Sequence, residues 1–467
     1  MVAVATALAL AGCQTLDSIS RVIGSPEAGP TGEKHLAGFI GGVVADEPRA
    51  AVIGRDVLAA GGTAADAAVA VGFALAVTLP SRASLGAGGA CLVYQPSHRG
   101  PGHGVPEAIL FTSAPGESGG DRPAALPMLA RGLYLLHDRY GLRPFETLVQ
   151  PAEDLARFGV PAPRALVRDL DTVGAPLLAD PAAAAVFAPH GTMLTEGAEL
   201  RQPDLGGTLA QIRTAGVGDL YQGLLAQRLV QASITAGGPM SAAQLRAALP
   251  QVAVPLILPA GRRYSAAFLP PPADGGLAAA AAFAVLERSP ASVQAADARA
   301  MAVAARWRAG SGGNPMALLS TELPAGSLPA LPASTSFATL DRTGMAVACS
   351  LSMNNLFGTG RIAPGTGILL AASPGDVPLP LLAAGIAWDP EDRAFRAEAA
   401  GSGQEGAPLA VAVGLENALR SRSPMPAPVP DPGRVNMIAC YRGLPGSSTS
   451  CGWVSDPRNA GFAVGGS

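Results

Sequence analysis

The chain has 467 residues, of which 49% are hydrophobic, 14% charged and 4% aromatic, so it folds around a large core of small apolar side chains instead of remaining disordered. A net charge of −3 with no basic block gives nucleic acid no electrostatic footprint. Lys34, the single lysine, leaves neither a P-loop nor a Ser–Lys dyad to build.

The N-terminal apolar run ends in Leu10-Ala11-Gly12-Cys13 and resembles the lipobox of bacterial lipoprotein signal peptides. Residues 1–12 are then expected to be a signal peptide and residues 13–45 a linker. Cys13 would carry the lipid, and the body would be periplasmic, held to a bacterial membrane (the outer one) through that lipid alone. Asp46-Glu47-Pro48 predicts a helix start with Asp46 as N-cap, and Gly61-Gly62 predicts its stop. Thr63 and Asp66 have the spacing of a capping box for a second helix to about Leu79, apolar on every face and therefore buried. "GAGGACLVYQ" and Ala108 to Ser113 read as strands. Helices are expected at Met128 to Tyr140, Pro144 to Phe158, Pro203 to Ala215, Leu220 to Ala236, Leu277 to Leu286 and Ala298 to Gly310.

Ser311 to Pro332 is rich in Gly, Pro and Ser and predicts an exposed segment open to cleavage. Beyond it strands dominate: Ser336 to Asp341, Gly344 to Met353, Gly385 to Trp388 and Ala394 to Ala399, with a helix at Leu409 to Arg420. Cys91 and Cys349 lie in apolar surroundings and are expected as buried thiols, whereas Cys440 and Cys451 flank a Gly/Pro/Ser loop that a disulfide is expected to close.

Conventional catalytic groups are scarce. The five histidines are scattered without metal-ligand spacing and there is no Cys-x-x-Cys, so neither metal nor other cofactor is expected. A serine can instead use its own backbone amine as base once the chain is cut before it, since an α-amine has a pKa of about 7.7–8.0. Ser334 opens a strand after the cleavable segment and meets that need. Gly116-Glu117-Ser118-Gly119-Gly120 also fits a nucleophile elbow, but Asp121-Arg122-Pro123 follows where a helix must begin, so it reads as a loop.

"AVIGRDVLAAGGTAADAAVAVGFALAVTLPSRASLGAGGACLVYQ", "RQPDLGGTLAQI", "LPPPADGG", "STSFATLDRTGMAVACSLSMNNLFGTG" and "SDPRNAGFAVGG" occur in the order of the landmarks of the gamma-glutamyltransferase family, which the chain resembles from Glu47 to Gly466. That resemblance implies a four-layer αββα N-terminal-nucleophile hydrolase fold. It implies a large-subunit region, residues 46–333, and a small-subunit region, residues 334–467, intertwined as one unit. It also implies self-cleavage before Ser334, which replaces the family's threonine, with Ser352 as the supporting hydroxyl. Asn354 and Asp376 match the contacts to the substrate's α-amino group.

Three stretches depart from the pattern. Phe111 replaces the arginine that holds the α-carboxylate, and is expected to form an apolar wall of the pocket. Pro380 and Leu381 replace a serine pair. Gln404 and Glu405 stand where the family has the Gly-Gly of its oxyanion hole, which leaves the backbone N–H groups of Gly403 or Gln404 to serve. The expectation is an amidohydrolase or acyl transferase acting on a small amide such as a gamma-glutamyl compound or glutathione. The alternative is an uncut, catalytically degenerate binding or scaffold protein.

Overall fold

The computed structural model describes residues 38–97, 102, 104–310, 313–426 and 428–466, so Cys13 and the apolar run before it lie outside the described residues. Two antiparallel sheets face each other. The first has seven strands in the order Phe462–Gly466, Gly41–Ala45, Thr335–Asp341, Ala346–Ser352, Gly88–Tyr94, Glu107–Phe111 and Gln251–Ala253. The second has six: Cys451–Ser455, Arg434–Leu444, Ala394–Ser402, Ala383–Asp389, Tyr264–Phe268 and Leu256–Ala260.

Alternation along each strand divides the side chains between two environments. Leu92, Leu340, Ala348, Ile386 and Ile438 fill the layer between the sheets. Cys91, Ile109, Phe337 and Val347 point outward under the first helical layer. There the helix Ala64–Thr78 is buried at every position, and its Thr63–Asp66 capping box forms as the spacing predicts. The helices Gly275–Arg288, Val293–Arg308 and Ala407–Arg420 cover the second sheet. The order of layers is αββα, as expected. No helix among the described residues is long and apolar enough to cross a membrane.

Several local expectations need correction. The linker does not reach residue 45, because Gly41–Ala45 is a buried strand paired on both sides, with Phe462–Gly466 and with Thr335–Asp341. Its five residues are too few to show a periodicity. The N-cap of helix Pro48–Ala59 is Glu47, whose carboxylate accepts from the amides of Arg49 (3.0 Å) and Ala50 (2.8 Å). Asp46 is engaged elsewhere, as described below. Leu220 to Ala236 is two helices, Asp219–Gln222 and Leu224–Thr235, because the Asp219 carboxylate accepts from the amides of Leu224 and Leu225 and starts a new helix after Gly223.

Cys91 and Cys349 are not separate thiols. Strand pairing sets them directly opposite each other, and they form a disulfide across 258 residues of sequence. Cys440 and Cys451 are also cross-strand neighbours and are joined.

Candidate active site

The strand Thr335–Asp341 lies inside the first sheet, hydrogen-bonded on both sides, so the residue before it occupies a fixed place at the sheet's end. That residue is Ser334. It is 2% exposed, its hydroxyl makes no hydrogen bond among the described residues, and it lines a pocket of about 270 Å³. Ser352 ends the neighbouring strand Ala346–Ser352. Its hydroxyl donates to the carbonyl oxygen of Ala333 at 2.8 Å and accepts from the Asn354 amide at 3.0 Å. A hydrogen-bond donor therefore sits on the carbonyl of the Ala333–Ser334 peptide bond.

Asp46 fixes the two residues that follow Ser334. Its buried carboxylate accepts from Thr335 Oγ1 and the Ser336 amide, both at 3.0 Å, from Asn436 Nδ2 at 2.6 Å, and from Asn459 Nδ2. Asn436 Nδ2 also donates to the Ser336 carbonyl at 2.9 Å. This knot joins the beginning, middle and end of the chain around the strand entrance. Sequence reasoning missed it, because a side chain at position 46 carries no local sign of partners at 335 and 436.

Gly403 (φ 96°) and Gln404 (φ 53°) follow one another in left-handed conformation on the wall of the Ser334 pocket. A Cβ at position 403 would lie 1.9 Å from the Pro432 carbonyl oxygen, so only glycine fits. Successive turn residues of this kind present backbone N–H groups into a concavity. The Gln404 side chain donates to the Leu331 carbonyl at 2.8 Å.

Four arginines also line this pocket: Arg82, Arg168, Arg434 and Arg458. Arg82 grips Asp169 with Nε at 2.8 Å and Nη2 at 2.7 Å. Burial opposes its charge, but the Asp169 carboxylate prevails and its pKa is raised. Arg434 pairs with Asp431, and Arg458 with Asp456 and Asp431. Exposed Arg168 has no ion pair among the described residues.

Ala333 lines the arginine pocket together with Ser334, whereas Ser352 lines a second, smaller cavity of about 90 Å³. Ser352, Asn354, Thr112 and Ser113 give it polar groups; Pro272, Leu379 and Leu382 are among its apolar ones; no charged side chain lines it. Asn354 (φ 58°) donates its side-chain N–H to the Ala372 carbonyl at 2.9 Å.

Two expected neighbours are not brought to this cavity. Asp376 is exposed on the turn after Ser373 and does not line it, although Pro374 does. Phe111 is no pocket wall. It shares the helix-facing side of its strand with Ile109, and its ring fills the space above Gly132 and Gly89. Pro380 lines the cavity while Leu381 packs under the second helical layer. Ser118 sits exposed on a loop, with the next helix starting only at Leu129, so the elbow pattern has no elbow geometry.

The profile described as gamma-glutamyltranspeptidase matches residues 50–311, more than half of the chain. The chain belongs to the gamma-glutamyltranspeptidase family. Among its relatives, the glutathione hydrolase proenzyme of Escherichia coli (strain K12) is 30% identical over 380 residues, covering 71% of this chain and 65% of that protein. The glutathione hydrolase proenzyme of Bacillus subtilis (strain 168) is 32% identical over 252 residues, covering 51% and 43%. The chain thus spans less than two thirds of the length of either relative.

Among solved structures, a cephalosporin acylase from Bacillus halodurans superposes with a TM-score of 0.73 at 19% identity, covering 94% of this chain and 98% of its own. Helicobacter pylori gamma-glutamyltranspeptidase gives 0.53 at 24% identity, covering 64% and 95%. At such identities these likenesses carry the fold alone, that of a gamma-glutamyltranspeptidase-like N-terminal-nucleophile hydrolase.

Proposed function

We propose that the chain is a precursor that cuts itself between Ala333 and Ser334 and then works as an amidohydrolase or acyl transferase with Ser334 as nucleophile. The observation that carries this reading is the Ser352 hydrogen bond to the Ala333 carbonyl, beside a Ser334 hydroxyl that makes no hydrogen bond among the described residues. In self-cleavage Ser334 Oγ attacks that carbonyl carbon, and Ser352 meets the charge developing on its oxygen. The acyl group moves from nitrogen to oxygen, and water hydrolyses the resulting ester. The freed α-amine of Ser334 is then the base for later turnovers. The N–H groups at Gly403 and Gln404 act as oxyanion donors for substrate.

Glutathione, after which both relatives are named, is a candidate donor. The cavity beside Ser352 counts against it, since no arginine or other charged side chain is present to hold an α-carboxylate. One observation favours the rival reading, an uncut binding protein: Gln404 tethers the Leu331 carbonyl and so holds the segment before the cut. Incubating purified precursor and measuring intact mass separates the two readings.

We also propose that Cys13 is lipidated. Cell fractionation of wild type and Cys13→Ala tests this. Retention of the wild type alone with membranes is expected, and equal release of both contradicts it.

A further inference from the structure

The residues on both sides of the proposed cut share one pocket. Ala333 and Ser334 both line the arginine pocket, where four guanidinium groups face a single lining carboxylate, that of Asp169. Asp431 and Asp456, which pair with Arg434 and Arg458, are not part of the lining. Arg168 has no ion pair among the described residues. Before the cut the carbonyl group of Ala333 is neutral. Hydrolysis of the ester leaves a carboxyl group there, and an α-carboxyl has a pKa of about 3.3–3.7. At neutral pH the cut therefore creates a negative charge on a residue that lines a basic pocket.

The segment leading to Ala333 is held at points that the cut does not touch. Leu323 and Leu328 pack against the second helical layer, and Leu331 is buried in it. Gly326 lies so close to the helix Val293–Arg308 that a Cβ there would come within 2.9 Å of the Ala302 Cα. Gln404, on the pocket wall, holds the Leu331 carbonyl at 2.8 Å. A chain end tethered beside its site needs no encounter from solution, and its effective concentration there is about millimolar or higher.

Resting on the proposed function above, we infer that the arginine pocket is a binding site for a peptide C-terminal carboxylate, and that its first occupant is the chain's own new C-terminus at Ala333. Arg168 receives that carboxylate by a charge-assisted hydrogen bond. The tail ending in Leu331, Pro332 and Ala333 then stays over Ser334, and the cleaved protein is held closed by the product of its own maturation. It opens to substrate when the tail is trimmed or withdraws. Arg168 has this role only after the cut, because no carboxylate exists before it.

The test follows trimming of the tail by thermolysin, which cuts before leucine, read by intact mass. Four proteins are compared: self-cleaved wild type, self-cleaved Arg168→Gln, and uncut Ser334→Ala with and without Arg168→Gln. In the cleaved protein Arg168→Gln is expected to speed trimming about tenfold or more, the scale of one hydrogen bond to a charged group. In the uncut protein it is expected to change nothing. Reaction of Ser334 with phenylmethanesulfonyl fluoride is expected to accelerate by a similar factor once the wild-type tail has been trimmed. Equal trimming of the two cleaved proteins, an equal Arg168 effect in the uncut pair, or a Ser334 that reacts alike before and after trimming overturns the inference while leaving self-cleavage standing. An Arg168→Gln chain that no longer cuts itself overturns it too, because Arg168 then acts before the carboxylate exists. A wild-type chain that stays whole overturns the function on which the inference rests.

Discussion

At the scale of single residues, the account rests on groups whose partners are far away in sequence. Asp46 accepts four hydrogen bonds around the residues that follow Ser334. Replacing it with alanine leaves buried donors unsatisfied and is predicted to cost about 3 kcal/mol or more. Denaturant unfolding of uncut Ser334→Ala with and without Asp46→Ala measures this, and a difference within about 0.5 kcal/mol, the ordinary range for harmless surface changes, contradicts the anchoring role. Ser352→Ala is predicted to slow self-cleavage by about 10²-fold, the scale of one lost oxyanion donor, while an unchanged cleavage half-life removes Ser352 from the reaction.

A third residue works against stability. Glu398 is fully buried between the sheets with neither carboxylate oxygen hydrogen-bonded. Burial first, and the nearby Asp341 carboxylate second, raise its pKa well above the usual value. A carboxyl that holds its proton more tightly when folded contributes full stability below its unfolded pKa of about 4.3, and that contribution is lost as pH rises toward the folded value. Glu398→Leu is therefore predicted to raise Tm more at pH 8 than at pH 5. An equal change at both pH values contradicts the raised pKa.

At the scale of elements, the helix Ala64–Thr78 and the strand that follows Ser334 were legible in sequence, whereas the helix Arg164–Leu177 and the arginine pocket were not. The Thr63–Asp66 cap and the wholly apolar helix Ala64–Thr78 could be read because their signals lie within one turn. Removing that cap with Thr63→Ala is predicted to cost about 1 kcal/mol, read as a shift in the denaturant midpoint; an unchanged midpoint contradicts the capping role. The strand Arg434–Leu444 was missed because it lacks a clean alternation of apolar and polar residues. Phe111 was misassigned for a geometric reason. Replacing a charged residue by an apolar one suggests an apolar pocket wall, but the pleat turns position 111 toward the helices, and the pocket receives Thr112 and Ser113 from just beyond the strand. The arginine pocket had no local signal, since Arg82 meets Asp169 across 87 positions and Arg458 enters from the end of the chain.

At the scale of the whole molecule, both sheets contain strands from before and after Ser334, so a cut there leaves the body assembled. The Cys91–Cys349 disulfide also spans the proposed cut, with one cysteine on each side. Cleaved protein is therefore predicted to run as one species on a non-reducing denaturing gel and as two after reduction. The measurement that tests the central claim most directly is intact mass under reducing conditions, on wild type and Ser334→Ala after the same incubation. The account predicts two chains for the wild type, the smaller beginning Ser-Thr-Ser-Phe, and a single chain for Ser334→Ala. A wild-type chain that remains whole, or a cut at any other bond, contradicts it.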